Sequence, residues 1–221
     1  MTLLDALLDT LPPDRPVHDV RIGLHWTLVV LKPEAPHRPP QAALTTTIPL
    51  RHGHAHQHEQ LERAGDLHTM SAHELARLAA SEVGPERSVG WAAINALLGV
   101  DPAHCVELNA REFLVEKGRG KRVAIIGHFP FMDRVREVAD TLWGLELDPG
   151  PDDLPAAAAP DIIPQADVVA VTSLTLINNT FEELASLWRP DALVMMLGPS
   201  TPFTPLLFER GVDVLSGTLV V

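Results

Sequence analysis

The first half of the chain places its strand-like segments before its helical ones. Residues 20–31, VRIGLHWTLVVL, are rich in β-branched and aromatic residues and predict a strand, with Leu24 among the apolar residues of one face. Residues 32–40 are rich in proline and interrupt this pattern, and residues 42–50 then resume strand character. The two apolar runs can therefore pair as a hairpin with a long loop.

Two helices are predicted after these strands. Ser71, with Glu74 three residues later, forms a capping-box pattern that marks the start of the first helix. The almost wholly apolar residues 87–99 predict a buried second helix that stops at its final glycine. Strands followed by helices indicate a small α+β domain, which we assign to residues 1–118, with the charged, glycine-bearing link at residues 116–122 marking the boundary.

In the second half, short apolar runs alternate with helical segments. The predicted strands cover residues 122–127, 145–148, 166–173 and 191–198, with a last one ending near residues 216–218. Residues 131–144 and 175–188 have the spacing of helices. This alternation predicts a doubly wound α/β domain of Rossmann type, with a parallel sheet, over residues 119–221.

Polar residues gather where these predicted strands end. Ligands of open parallel sheets bind beyond the carboxyl ends of the strands, which here carry GHFPF (127–131), TSLTLINNT (172–180) and GPSTPFTP (198–205). Glu146 follows the first turn by about 20 residues, where nucleotide-binding relatives have an acidic residue on the ribose, although it equally suits a solvent-facing strand position. The pattern predicts a site that offers backbone N–H groups and neutral hydrogen bonds.

Several of these polar residues have a structural alternative. Thr175 is a candidate helix N-cap, which would place Asn178 and the asparagine after it in the first turn, as caps or as ligand contacts. Asn95 is isolated in an apolar helix and must be satisfied by a neighbouring loop or by projection into a cleft between the domains. Thr204 and Pro205 match a helix N-cap followed by a first-turn proline, which leaves Ser200 and Thr201 without a structural duty.

VAIIGHFPF, TSLTLINNT and LGPSTPFTPLLFERGVDVLSGTLV together resemble a bacterial and archaeal domain-of-unknown-function family named for putative heavy-metal chelation. SVGWAAINALL resembles the end of the leader domain that precedes it. The resemblance implies an enolase-N-terminal-like domain, a Rossmann-like domain and a ligand-binding cleft between them. The residues that match the family pattern are Asn95, Gly127, Phe129, Pro130, Glu146, Thr172, Thr175, Asn178, Thr180, Gly198, Pro199, Ser200 and Thr201. Our predicted ligand-binding set is the same, with Asn179 in place of Thr180.

Residues 52–59, HGHAHQHE, carry a histidine at every second position and lie outside the family pattern. Neutral imidazoles suit Zn, Ni or Cu, so His52, His54, His56 and His58 are predicted metal ligands. The surroundings are polar and turn-prone and contain no cysteine. This composition favours an exposed, mobile loop that collects divalent ions over a closed structural site.

Composition narrows the range of partners and compartments. The net charge of -12 over 221 residues disfavours non-specific binding to nucleic acid or to an anionic membrane. The single cysteine, Cys105, rules out an internal disulfide framework, and we interpret it as a small buried apolar residue. The sequence has neither a signal-peptide pattern nor an apolar stretch of membrane-spanning length, so a cytoplasmic protein is expected.

Three functions fit this pattern. The first is a binding protein whose cleft receives a small anionic or chelating molecule, such as a metal complex, in heavy-metal handling. The alternative is a transferase-type enzyme with a nucleotide-like cofactor over the strand ends, although His128 has no readable catalytic partner. The third is a subunit whose apolar surfaces serve assembly, as in a homo-oligomer. Enzymatic activity and the identity of any cofactor beyond a divalent metal stay open.

Overall fold

A computed structural model of the chain describes residues 1–35, 37, 40–49 and 61–220, which form two compact units. The first unit contains Met1–Asp101, Pro199–Leu206 and Gly217–Val221, and the second contains Pro102–Gly198 and Leu207–Ser216. One antiparallel and one parallel sheet are present, so the predicted α/β class is confirmed.

The helices and strands have the following bounds. The α-helices are α1 (Leu3–Asp9), α2 (Ala72–Arg77), α3 (Gly84–Leu98), α4 (Ala110–Lys117), α5 (Met132–Arg136), α6 (Ala159–Ile162), α7 (Leu174–Ile177), α8 (Phe181–Ala185) and α9 (Pro205–Phe208). The strands are β1 (Val17–Ile22), β2 (Trp26–Leu31), β3 (Ala42–Thr46), β4 (Arg122–Ile126), β5 (Thr141–Glu146), β6 (Leu154–Pro155), β7 (Val168–Thr172), β8 (Leu193–Leu197) and β9 (Val214–Ser216). Short 3-10 helices cover Leu67–Thr69, Leu78–Ala80, Pro102–His104, Ala156–Ala158 and Ile163–Gln165.

The antiparallel sheet of the first unit has the order β1-β2-β3. β2 pairs with β3 in antiparallel register, which confirms the predicted long-looped hairpin. The prediction of one continuous strand over residues 20–31 is wrong. The backbone N–H of Gly23 donates to the carbonyl of Trp26 at 2.8 Å, and the turn that this bond closes leaves Leu24 86% exposed. The turn divides the run into β1 and β2.

The helices of the first unit follow the predicted signals. Ser71 and Glu74 form the capping box, because each side chain accepts a hydrogen bond from the backbone N–H of the other. Gly99, with φ at 61°, ends the buried helix α3 as predicted. Within that helix, a Cβ added at Gly90 would lie 2.0 Å from the backbone nitrogen of Ala79. Glycine at this position therefore allows α3 to pack against the backbone of the preceding turn.

The parallel sheet of the second unit has the order β6-β5-β4-β7-β8-β9. β4, β7, β8 and β9 confirm four of the predicted strands. The predicted helix over residues 131–144 is wrong in its second half, because α5 ends at Arg136 and β5 begins at Thr141. Thr141 and Trp143 belong to residue types that favour strands, and they pair in parallel with β4.

The core of the second unit explains where the units divide. Leu114 of α4 is fully buried in one apolar cluster with Val123 of β4 and Val135 of α5. α4 therefore packs as part of the second unit, and the division falls after Asp101, whereas the sequence-based boundary lay after residue 118. Burial of α4 against the sheet, rather than the glycine-bearing link that follows it, sets this division.

An ion-pair network joins β4 and β7 at their amino-terminal ends. One oxygen of Asp167 accepts hydrogen bonds from Arg122 Nη2 at 2.7 Å and from Arg189 Nη2 at 3.2 Å. The other accepts from the backbone N–H of Arg122 at 3.0 Å and from its Nε at 3.1 Å. The side-chain and backbone donors of Arg122 hold the pKa of Asp167 well below its usual range.

Two sequence-based statements concern exposure. Cys105 is exposed, so its interpretation as a buried apolar residue is wrong. It follows the short 3-10 helix Pro102–His104, and residues 101–109 are all exposed. No helix built from the described residues combines the length and the apolar character needed to cross a membrane.

Candidate functional site

The carboxyl ends of β4 and β7 meet at the point where the strand order of the parallel sheet reverses. Gly127 follows β4 with φ at 103°, and a Cβ added there would lie 2.9 Å from Cγ2 of Thr172, at the end of β7. The N–H of Gly127 also donates to the carbonyl of Leu145 in β5 at 3.0 Å. Glycine thus permits a close approach of three strand ends, at the place where open α/β sheets bind ligands.

A cavity of about 380 Å³ lies at these strand ends, within the second unit, and we call it the strand-end cavity. Five residues of the predicted ligand-binding set line it, namely Gly127, Glu146, Thr172, Thr175 and Asn178. The other lining residues are Ile126, His128, Leu145, Leu147, Ala156, Ala157, Ala159, Leu174, Thr180, Glu183, Leu184 and Leu187. The sequence therefore identified most of the polar wall, whereas the apolar wall and Glu183 carried no recognisable signal.

The charged groups of the strand-end cavity are acidic or imidazole groups. Glu146 is half-buried, and its Oε2 accepts from the N–H of Leu147 at 3.1 Å, whereas Glu183 is exposed. His128 Nδ1 lies 3.7 Å from Oδ2 of Asp153, a partner that the sequence analysis did not identify. None of the described residues that line the cavity is a lysine or an arginine. Such a lining favours a cationic ligand over an anionic one.

Thr175 does not cap a helix, so this part of the sequence-based interpretation is wrong. Ser173 holds the N-cap position of α7, and the Thr175 hydroxyl donates to the carbonyl of Thr172 at 2.7 Å from inside the helix. The single helix predicted over residues 175–188 is also wrong, because Asn179 has φ at 64° and separates α7 from α8. Asparagine is one of the few residue types that adopt this left-handed conformation readily.

Asn178 lies at the end of α7 rather than in a first helical turn. Its Oδ1 accepts from the backbone N–H of Thr180 at 3.2 Å and from the hydroxyl of Thr180 at 2.7 Å. This arrangement gives the asparagine a local structural role. Because Oδ1 already has two donors, Nδ2 is the group of Asn178 that can form a further hydrogen bond.

Asn179 and three other predicted residues of the second unit are not among the residues that line the strand-end cavity. Phe129 stacks against Phe131, with ring centroids 5.3 Å apart, and packs on the apolar core. Pro130 borders an open groove at the start of α5. Gly198 has φ at 129°, and a Cβ added there would lie 2.6 Å from Oγ of Ser173, so glycine is needed for the turn after β8. The structure gives Phe129 and Gly198 a structural role.

The remaining predicted residues belong to the first unit. Asn95 Nδ2 donates to the carbonyl of Ser200 at 3.0 Å. For the amide nitrogen, the first of the two predicted alternatives, a bond to a neighbouring loop, therefore applies. Ser200 Oγ accepts from the backbone N–H of Thr46 at 3.0 Å, and its supposed lack of a structural duty is therefore wrong. Asn95, Pro199 and Thr201 line a separate cavity of about 260 Å³, which we call the Asn95 cavity. The predicted cleft between the domains stays a prediction.

The metal-binding prediction concerns another part of the chain. His52, His54, His56 and His58 lie outside the described residues. Within the parts of the chain that the structure describes, no group of three or more His, Cys, Asp or Glu side chains is placed to hold a metal ion. The tract is therefore a prediction from the sequence alone.

Comparisons with known proteins cover nearly the whole chain. Two family models, both described as "Putative heavy-metal chelation", match it: DUF4213 over residues 4–98 and DUF364 over residues 109–221. A DUF364-family protein of unknown function from Desulfitobacterium hafniense has a similar structure, with 27% identity, a TM-score of 0.81, and coverage of 99% of this chain and 85% of that chain. Another, from Pyrococcus horikoshii, has the same fold at 20% identity and a TM-score of 0.77, with coverage of 96% and 84%. No curated protein matches.

Proposed function

The chain belongs to the family described as "Putative heavy-metal chelation", and from this membership we propose that it binds a small cationic metal complex in the strand-end cavity. The observation that supports this proposal most directly is the lining of that cavity. The described residues that form it contribute two carboxylates, one imidazole and several neutral hydrogen-bonding groups, and include neither lysine nor arginine. The transferase alternative has no support from the family models or the related structures.

A complex suits the strand-end cavity better than a bare ion for two reasons. The volume of about 380 Å³ is in the range of small-molecule pockets and far exceeds that of one ion. Moreover, the described residues contain no cluster of three side chains that could replace the coordination shell of an ion. The lining groups would instead bind the ligands that the metal already carries.

The roles of the lining residues follow from their hydrogen-bonding capacity. Glu146 and Glu183 balance positive charge and accept hydrogen bonds from donors coordinated to the metal. The Thr172 and Thr175 hydroxyl oxygens are further acceptors, and Asn178 Nδ2 is the donor. Leucine and alanine side chains form the remaining wall and cover apolar parts of the complex.

Hexaamminecobalt(III) is a suitable probe, because its ammine ligands exchange so slowly that histidines do not coordinate the metal. Titration calorimetry is carried out on a variant with His52, His54, His56 and His58 replaced by serine, so that the tract cannot contribute. Saturable binding is expected, and Glu146→Gln and Glu183→Gln should each weaken it by roughly tenfold, since one charged hydrogen bond contributes about 1.5 kcal/mol or more.

Two controls give this experiment its specificity. Glu182 belongs to the same helix as Glu183, but its carboxylate lies 3.8 Å from Arg210 and does not line the cavity. Glu182→Gln should therefore leave the affinity unchanged. Hexacyanoferrate(III), an octahedral anion, should not bind. If the three glutamine substitutions weaken the affinity equally, binding of the cobalt complex depends only on the net charge of the protein, and the proposal would be rejected.

A further inference from the structure

The Asn95 cavity contains polar groups that call for a different ligand. All of its lining residues belong to the first unit. Among them are Arg15, Gln41, Asn95, Val100, Pro199 and Phe203. This wall differs from that of the strand-end cavity because it contains an arginine and a phenylalanine.

Arg15 supplies positive charge that is largely withdrawn from solvent. Its side chain is 13% exposed, and its Nη1 donates to Gln41 Oε1 while its Nη2 donates to the carbonyl of Lys32 at 2.7 Å. A guanidinium carries five N–H donors, so further donors remain for a ligand. Glu34 is 53% exposed, with an oxygen 3.6 Å from Nη1, which makes it a solvent-screened partner. A carboxylate that enters the cavity can form the stronger, bidentate pair.

Asn95 supplies an acceptor that lacks a donor. Its Oδ1 is buried and has no hydrogen-bond partner among the described residues, whereas its Nδ2 donates to the carbonyl of Ser200. Rotation of the amide by half a turn would place oxygen against the carbonyl oxygen of Ser200, so the orientation is determined. Ser200 is itself held by the backbone N–H of Thr46. A buried acceptor of this kind is stabilised by a ligand that donates to it.

The two groups belong to one wall of the Asn95 cavity. Gln41 accepts from Arg15, and its Nε2 lies so close to Gly99 that a Cβ added at Gly99 would meet it at 1.9 Å. Gly99 ends α3, and its N–H donates to the carbonyl of Asn95 at 3.0 Å. Gln41 thus connects the guanidinium to the end of the helix that carries the unsatisfied acceptor.

We propose that the Asn95 cavity binds a small carboxylate that also bears a hydroxyl or amino group. The carboxylate pairs with Arg15, the hydroxyl or amino group donates to Asn95 Oδ1, and the carbon skeleton packs against Val100, Pro199 and Phe203. This site goes beyond the proposed metal-complex function and does not depend on it.

The test compares three-carbon carboxylates that differ in the hydrogen-bond donor they carry and in its distance from the carboxylate. Affinities of metal-free protein for L-lactate, 3-hydroxypropanoate, L-alanine, β-alanine and propanoate are measured by ligand-observed NMR. At least one hydroxy or amino acid should bind roughly tenfold more tightly than propanoate, because propanoate leaves the buried acceptor unsatisfied. The two hydroxy acids and the two amino acids distinguish the hydroxyl from the amino group and vary its spacing from the carboxylate.

Variants assign the binding to the two side chains. Arg15→Met should abolish binding of every carboxylate, whereas Arg21→Met, which removes a 75% exposed arginine of the same unit, should have no effect. Asn95→Ala should remove the preference over propanoate. The proposal is overturned if propanoate binds as tightly as all four hydroxy and amino acids, or if none of the ligands binds at about 10 mM. It is also overturned if Arg15→Met leaves the affinities unchanged. The ligand series on the unaltered protein decides the matter even if a variant fails to fold.

Discussion

Replacement of Gly127 by alanine should destabilise the second unit at the place where its strand ends meet. The glycine has φ at 103°, which lies outside the left-handed helical region, and holding alanine there costs about 1–3 kcal/mol. The new Cβ would also lie 2.9 Å from Cγ2 and 3.0 Å from Cβ of Thr172, an overlap that costs a further 1–3 kcal/mol or so. We therefore expect Gly127→Ala to lower the free energy of unfolding by roughly 2–6 kcal/mol, the sum of the two costs.

Hydrogen exchange followed by mass spectrometry is the appropriate assay, because peptides from β4 and β7 report on the second unit alone. Gly120→Ala is the matched control, since Gly120 has φ at 64° with nothing within 4 Å of an added Cβ, and it should cost about 1 kcal/mol. Adding Thr172→Ser to Gly127→Ala removes Cγ2 and should restore about 1 kcal/mol. If Gly127→Ala costs no more than Gly120→Ala, or if the serine restores nothing, the close approach is not what requires glycine.

Three further predictions concern other parts of the chain. The untagged protein should be retained on immobilised nickel, and replacing His52, His54, His56 and His58 by serine should abolish retention without lowering the melting temperature; a lower melting temperature would indicate a structural metal site. Because the pKa of Asp167 is lowered in the folded state, its network contributes full stability above the unfolded pKa of about 3.9. That contribution is lost as the pH falls through the lower folded pKa, so Asp167→Asn should destabilise the protein at pH 7 and flatten the acid side of a stability–pH profile; parallel profiles would contradict this. Asn178→Ala should cost about 1 kcal/mol in thermal or urea unfolding by removing the acceptor for Thr180, whereas Asn178→Asp should keep most of the stability, and equal losses would show that the acceptor is not what matters.

Some site residues could be identified from the sequence because their position follows from the order of the strands. Gly127, Glu146 and Thr172 each lie at the end of a buried strand or directly after it, and parallel strands bring such ends to one edge of the sheet. The roles of Thr175 and Asn178 could not be derived in this way. They depend on where α7 begins, which is after Ser173, and on where it ends, which is before the left-handed residue Asn179.

The sequence by itself determined the features that neighbouring residues control. The capping box of Ser71 and Glu74, the glycine stop of α3 and the buried runs of β4, β7 and β8 all rest on interactions within a few residues or on the apolar character of one segment. Only the tertiary structure decided that Thr141–Glu146 forms a strand, that His128 faces Asp153, and that Arg15 and Asn95 share a cavity. In each of these cases the free energy comes from contacts between residues far apart in the chain. Local propensity and periodicity carry no information about those contacts. Where the two disagree, the long-range contacts override the local preference.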